Sequence, residues 1–133
     1  LILGFPGETE ELFEETMETL KRLNFSHIHA FPYSPRKGTP AATMSGQIDT
    51  AEKKRRVELV NELSARQKAA LLESLVGTKA SVLIETQEGT EGEGFTGNYE
   101  RVAVSGLPEG AQRTVVSVAL VGTDGKKLLA EAF

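Results

Sequence analysis

The sequence predicts an α/β chain in which a strand–helix–strand unit and a long helix precede a small all-β antiparallel barrel. Three observations carry this. Two short apolar runs, "LILGF" (1–5) and "HIHAF" (27–31), flank a stretch with helical spacing. A second and longer helical period covers residues 49–75. After Gly77 the period changes from 3.6 to 2 and stays there to Phe133.

Taken in order, "LILGF" suits a strand buried on both faces, and "PGE" breaks it. From Thr9 the spacing becomes helical, with Leu12, Phe13, Met17, Leu20 and Leu23 on or near one stripe. Thr9 serves as N-cap, Glu8, Glu10 and Glu11 crowd the start, and Lys21 and Arg22 sit near the end, which complements the helix dipole. Asn24 stops the helix and "HIHAF" reads as the second strand, parallel to the first through a right-handed crossover. Such a unit has no outer neighbours for its strands, and the chain opens at Leu1 inside an apolar run without an initiator methionine. The expectation is a piece of a longer protein whose remaining N-terminal domains complete the sheet; on its own, the fragment is expected to pair edge-to-edge or swap elements as a homodimer.

In the long helix, Val57, Val60, Leu63, Ala70, Leu71 and Leu75 form one apolar arc. Lys54, Glu58, Glu62 and Arg66 lie opposite, as two i,i+4 pairs, and Gly77 ends the segment. The "EKKRR" run (52–56) reads as a solvated first turn rather than a phosphate contact. Beyond it, "ASVLIE" (80–85), "YERVAVS" (99–105), "RTVVSVALV" (113–121) and "KLLAEAF" (127–133) are β-rich. They are separated by a polar loop at 88–94, a bend at 97–98, a turn at 107–111 and the hairpin signal "TDGK". Four or five short strands without a helix suggest a barrel of the oligonucleotide-binding type. The domain division is expected near residue 76, giving 1–76 and 77–133.

The chain has no cysteine, which excludes disulfides and thiolate metal sites within it. No run approaches a membrane span, no signal peptide precedes the first motif, and a cytoplasmic setting is the default. The net charge of −4 argues against indiscriminate nucleic-acid binding. Residues 78–133 hold five basic and eight acidic groups, so any RNA-binding surface there is a local patch, with Arg101, Arg113, Lys126 and Lys127 as its cations.

Two loops follow strands and share the rim where an α/β barrel holds ligands. "GFPGETEE" (4–11) allows close approach to the backbone at Gly4 and Gly7, or is an ordinary turn; it lacks a phosphate-loop signature. "FPYSPRKGTP" (31–40) offers Tyr33 as a stacking face, the Ser34 hydroxyl and the Arg36 guanidinium on a proline-stiffened loop, or is a rigid connector. His27 and His29 share a strand face without an evident third ligand, so no metal is assigned. In the tail, Phe95, Asn98, Tyr99 and Arg101 combine aromatics with polar and cationic groups, as single-stranded RNA recognition does and as strand-core aromatics also do.

The order "LILGFPGETEELFEET", "FSHIHAFPYSPRKGTPAATM", charged helix and small β tail resembles the C-terminal part of the radical S-adenosylmethionine methylthiotransferases. The likeness runs over nearly the whole chain. The form "HAFPYSPRKGTPAA" resembles most the branch acting on threonylcarbamoyladenosine in tRNA. The resemblance implies that residues 1–76 are the end of a partial α/β barrel with its connecting helix. It implies that the tail is a TRAM domain, an RNA-binding barrel. It also implies S-adenosylmethionine and two [4Fe–4S] clusters in the full-length enzyme, and a tRNA anticodon stem-loop as partner. Ile2, Gly4 and Phe5 then fall on the adenosine side of the cofactor site, and Tyr33, Ser34 and Arg36 at its mouth. The family's motif places a glutamate three residues past the glycine; here Gly7 holds that place and Glu8 follows. Since the cluster cysteines are not in this chain, it is expected to be inactive alone and to hold no cofactor, with no catalytic residue of its own. The alternatives are a ribosomal-protein methylthiotransferase fragment and a stand-alone RNA-binding module.

Overall fold

The computed structural model describes residues 1–133, which divide into two compact units, Leu1–Gln67 and Lys68–Phe133.

The first unit contains β1 (Ile2–Leu3), α1 (Glu10–Leu23), β2 (Phe31–Pro32), a 3-10 turn at Pro40–Thr43 and the first part of α2 (Thr50–Leu75). β1 and β2 are parallel, with Ile2 opposite Phe31 and Leu3 opposite Pro32. The ladder is shorter than the two apolar runs predict, because Gly4 turns the chain away at φ +75°. Phe31 N–H donates to Leu1 O at 2.9 Å and Tyr33 N–H to Leu3 O at 2.7 Å. Alternate residues bond across a strand pair, so the donor that Pro32 lacks falls on the open side, where a strand tolerates proline. Burial on both faces of β1 is also corrected: Leu3 is buried, but Ile2 is exposed.

α1 forms as its signals direct. The Leu12 amide donates to Thr9 Oγ1, and Asn24 closes the helix in the left-handed region at φ 52°. Phe13 and Leu20, one line along the helix, join Leu3, Ile28, Val60 and Leu63 in the core. Leu12 and Leu23 were expected in that stripe but are exposed. They flank an open hollow with Leu1, Phe5 and Phe25, since α2 covers only the Phe13–Leu20 line. Two buried side chains of α2 secure neighbouring backbone: Ser64 Oγ accepts from Ile28 N–H at 3.0 Å, and Gln67 Nε2 donates to Leu20 O at 2.9 Å.

The predicted arc of α2 is partly corrected. Val60 and Leu63 are buried, Ala70 is exposed, and Leu72 takes the buried position in the last turns. Those turns belong to the second unit, where Leu72 joins the interior of a closed barrel.

The barrel strands are β3 (Lys79–Glu88), β4 (Glu91–Thr96), β5 (Arg101–Ser105), β6 (Val115–Thr123) and β7 (Leu128–Ala132), in the order β3-β4-β5-β7-β6. Val82, Ile84, Val102, Val104, Val118, Leu120, Leu128 and Ala130 alternate into the interior. The barrel is not wholly antiparallel as predicted, since β5 and β7 run parallel. Nor is 88–94 a polar loop: most of it is β4, and the turn is confined to Gly89 and Thr90. β4 escapes the usual alternation because glycine fills two of its three inward positions, Thr96 holding the third. A Cβ on Gly94 would stand 2.0 Å from Leu83 O, and one on Gly92 2.5 Å from Thr86 O. Only glycine lets β3 and β4 cross this closely. The "TDGK" hairpin forms, with Gly125 at φ +84° and the Asp124 carboxylate accepting from the amides of Lys126 and Lys127, both at 2.8 Å. No helix is long and apolar enough to cross a membrane.

Candidate functional site

The loop leaving β1 is organised around Glu8. Its Oε1 accepts from the Gly4 amide at 2.8 Å and from Arg56 Nη1 at 2.7 Å, while its carbonyl accepts from Arg56 Nη1 at 2.9 Å. Gly4 also makes room for α2, since a Cβ there would lie 2.1 Å from Lys53 Cγ. Lys53 Nζ donates to Tyr33 O at 3.1 Å and lies 5.7 Å from the centre of the Tyr33 ring. Two side chains one turn apart on α2 therefore fasten the ends of both strands. The Phe5 and Tyr33 rings meet edge to face at 5.3 Å.

This overturns the expectation that "EKKRR" is a solvated turn. Lys54 is exposed, but Lys53 and Arg56 are buried, with 4% of Arg56 accessible. Arg56 meets Glu8, Glu10 and Glu52, and Arg55 meets Glu10 and Glu52. Burial works against the Arg56 charge, but the Glu8 and Glu52 carboxylates outweigh it and raise its pKa. Hydrogen bonds from Arg55 and then Arg56 hold the Glu52 carboxyl down at about 2. The spacing contains the missed signal: Lys53, Arg56, Val60, Leu63 and Gln67 follow one helical line, so the cations continue the apolar stripe.

The predicted rim residues are thus divided. Gly4 and Tyr33 are both held by Lys53, and Phe5, though exposed, meets the Tyr33 ring; Ile2, Ser34 and Arg36 are exposed and outside this contact. Arg36 sits in a turn fixed by Thr39, whose N–H and Oγ1 both donate to Arg36 O. Pro32, Tyr33, Ser34, Pro35, Lys53 and Val57 line an open cavity of about 520 Å3, so Ser34 shares it with Tyr33 although Arg36 does not. The Tyr33 hydroxyl is buried without a hydrogen-bond partner within the chain. The features that fit one side of an adenosine-containing cofactor are the ring pair and the unpartnered hydroxyl; Gly4 offers no open backbone, since Lys53 fills the space beside it. The cluster ligands are another matter: the chain has no cysteine, and no group of three His, Cys, Asp or Glu is placed to hold a metal. His27 and His29 stack edge to face, 4.4 Å between ring centres.

On the barrel, Phe95 and Tyr99 line one open groove of about 440 Å3 with Ser81, Leu83, Glu85 and Val115. Asn98 lies in the adjoining turn, its Oδ1 bonded by the Thr96 hydroxyl. The cations do not gather there. Glu93 takes both Arg101 and Lys127, which together keep its carboxyl below the usual range, Lys127 contributing more. Arg113 precedes β6 and Lys126 follows it, so roughly 30 Å of strand at about 3.3 Å per residue separates them. One functional-looking residue escaped the sequence reading: Glu100, 2% accessible and paired with Lys68. Its parity with Val102 and Val104 marks it as inward-facing.

No protein-family model matches the chain. Curated relatives do. The chain is 45% identical over 97 residues to the tRNA-2-methylthio-N(6)-dimethylallyladenosine synthase of Moorella thermoacetica, an alignment covering 73% of this chain and 22% of the relative. The chain resembles tRNA methylthiotransferases. The proteins of the same name from Magnetococcus marinus (48% over 84 residues, 63% of this chain and 19% of the relative) and Hydrogenovibrio crunogenus (40% over 111 residues, 81% and 23%) agree. The chain spans about a fifth of the length of these relatives.

Proposed function

We propose that this chain is part of a tRNA methylthiotransferase, an enzyme that places a methylthio group on a modified adenosine beside the anticodon. The observation that carries it is the 40–48% identity to relatives bearing that name. S-adenosylmethionine, when bound, supplies the radical and the methyl group. In this reading the residues here have three tasks. Gly4 lets Lys53 pack against the end of β1 and so positions the rim, Phe5 and Tyr33 bound the cofactor with their rings, and Ser34 and Arg36 face the mouth. Residues 77–133 are a TRAM-type barrel that contacts the tRNA, and the barrel's five-strand order supports this assignment. The iron–sulfur ligands lie outside these residues, and the chain alone is inactive.

The relatives' names favour N6-dimethylallyladenosine as the target nucleoside, whereas "HAFPYSPRKGTPAA" favours N6-threonylcarbamoyladenosine. Mass spectrometry of nucleosides decides between them, using tRNA from a host lacking its own methylthiotransferases and expressing the full-length enzyme. A methylthio product on either nucleoside supports the enzymatic reading and names the branch; modification of a ribosomal protein instead refutes the tRNA assignment. In the same assay Arg36→Ala is expected to lower methylthiolation about tenfold or more, the scale of a lost charge-assisted contact. Unchanged product would remove Arg36 from the site.

A further inference from the structure

The groove on the barrel's outer face combines features that a folding role does not account for. Tyr99 is 85% exposed, yet it holds φ +63°, a conformation disfavoured for any side chain but least for Asn or Gly. Its backbone is pinned there: the Tyr99 amide donates to Thr96 O at 2.9 Å, and the next amide, of Glu100, donates to Thr96 Oγ1 at 3.0 Å. Beside it runs an apolar row on one outer face. Leu83 lies opposite Phe95 across β3–β4 and opposite Val115 across β3–β6, with Leu83 46% and Val115 67% exposed. The Glu85 carboxylate also lines the groove and has no ion-pair or hydrogen-bond partner.

The charges around this surface decide what it can take. Arg101 and Lys127 are occupied by Glu93, Lys68 by Glu100, and Lys79 lies over the Phe133 ring at 4.6 Å. Arg113 and Lys126 remain, at opposite ends of β6. A phosphate backbone therefore finds no cluster of cations here, and Glu85 repels it. A base finds an aromatic face, an apolar floor and an acceptor for its edge. We propose that this groove binds an unstacked nucleobase bearing an exocyclic amino group, by stacking on Tyr99 and donation to Glu85, with few phosphate contacts. This rests on the tRNA reading above and specifies which chemical part of the RNA the barrel holds.

The chain reports on this directly, because it has two tyrosines and no tryptophan. In a Tyr33→Phe background, Tyr99 is the sole emitter. Titration with oligoadenylate, oligouridylate and an anticodon stem-loop is expected to quench its fluorescence, with adenylate bound at least about threefold more tightly than uridylate. Glu85→Gln should erase that preference. Tyr99→Asn, which suits the backbone conformation, should weaken binding about tenfold, within the range of one lost stack, read from the anisotropy of the same RNAs carrying a fluorescein end label. Affinity against salt should have a logarithmic slope no steeper than about −1.5, equivalent to two phosphate contacts on a single strand. RNA binding with a slope beyond about −3, indifferent to Tyr99 and weakened by Arg113→Ala, would overturn the groove while leaving the RNA reading intact. Absence of binding to any of the three RNAs would overturn both, and would leave the apolar row to a protein partner.

Discussion

The two units solve the same problem, fixing strands in place, by opposite means. The first has two strands of two residues each, with open edges, and secures their ends with charged side chains: Arg56 on Glu8, Lys53 on Tyr33 O. The second closes five strands on themselves and fills the interior with aliphatic side chains, with one buried ion pair, Lys68–Glu100. A closed barrel has no edge to protect and enough apolar area to hold itself. An open strand pair has neither, so directional bonds to a neighbouring helix set the positions of its loops. The difference predicts where each unit breaks.

The largest effect is expected at Arg56. Glu10 and Glu52 keep Arg55, but removing Arg56 leaves the Glu8 carboxylate without its cation, and Arg56→Ala should destabilise residues 1–67 by about 3 kcal/mol. Hydrogen exchange resolved by residue should show lost protection at Gly4 and along α1, while β3–β7 keep theirs. Equal losses in both units would mean that the charged clasp is not specific to the first. The matching break in the barrel is steric. Gly94→Ala drives a Cβ into Leu83 O, and overpacking of this kind costs about 3 kcal/mol. Its loss should appear in the barrel amides first, and a melting curve unchanged from the parent would show that β3 and β4 can separate at no cost.

These two sites also mark where the sequence was legible and where it was not. α1 was readable from end to end, because its caps and its charge gradient are local signals. Strands β3, β5 and β6 announced themselves through β-branched residues, and β7 through the apolar run that follows the "TDGK" turn. β4 did not, since two of its three inward positions are Gly92 and Gly94 and the outward ones include Glu91 and Glu93, a composition that belongs to loops. The parallel pairing of β5 with β7 is a property of closure, which no local pattern encodes. In the candidate rim, Gly4 and Tyr33 were legible as strand-end residues, whereas Arg56 and Lys53 were hidden by the habit of assigning charge to solvent. Their helical register with Val60 was visible, but which neighbours would satisfy them depended on Glu8 and on a backbone carbonyl far away in sequence.

A smaller effect separates binding from stability in the first unit. The Tyr33 hydroxyl is buried and unpartnered, and such a group costs about 1 kcal/mol or more. Tyr33→Phe is therefore expected to stabilise the chain by about 1 kcal/mol in urea denaturation. If the cofactor site proposed above is right, the same change in the full-length protein should weaken S-adenosylmethionine binding. A Tyr33→Phe chain less stable than the parent would mean that the hydroxyl is satisfied after all, and its role as a free donor would fall.

The smallest effect concerns Tyr99, and its sign carries the argument. If this residue served the barrel's fold, replacing it would destabilise, as with Gly94. The structure suggests otherwise: 85% of Tyr99 is exposed, and its left-handed backbone disfavours a side chain by about 1–2 kcal/mol. Glycine relieves that strain but loses about 0.5–1 kcal/mol through the entropy of the unfolded chain. Tyr99→Gly should then raise barrel stability by about 0.5 kcal/mol, while removing the ring on which a base would stack. A gain in stability coupled to a loss in RNA affinity is the mark of a residue kept for its ligand. Destabilisation by 1 kcal/mol or more would instead place the ring among the contacts that hold β3 and β4 together, and the contrast between a barrel fixed by its interior and a surface kept for binding would have to be redrawn at this turn.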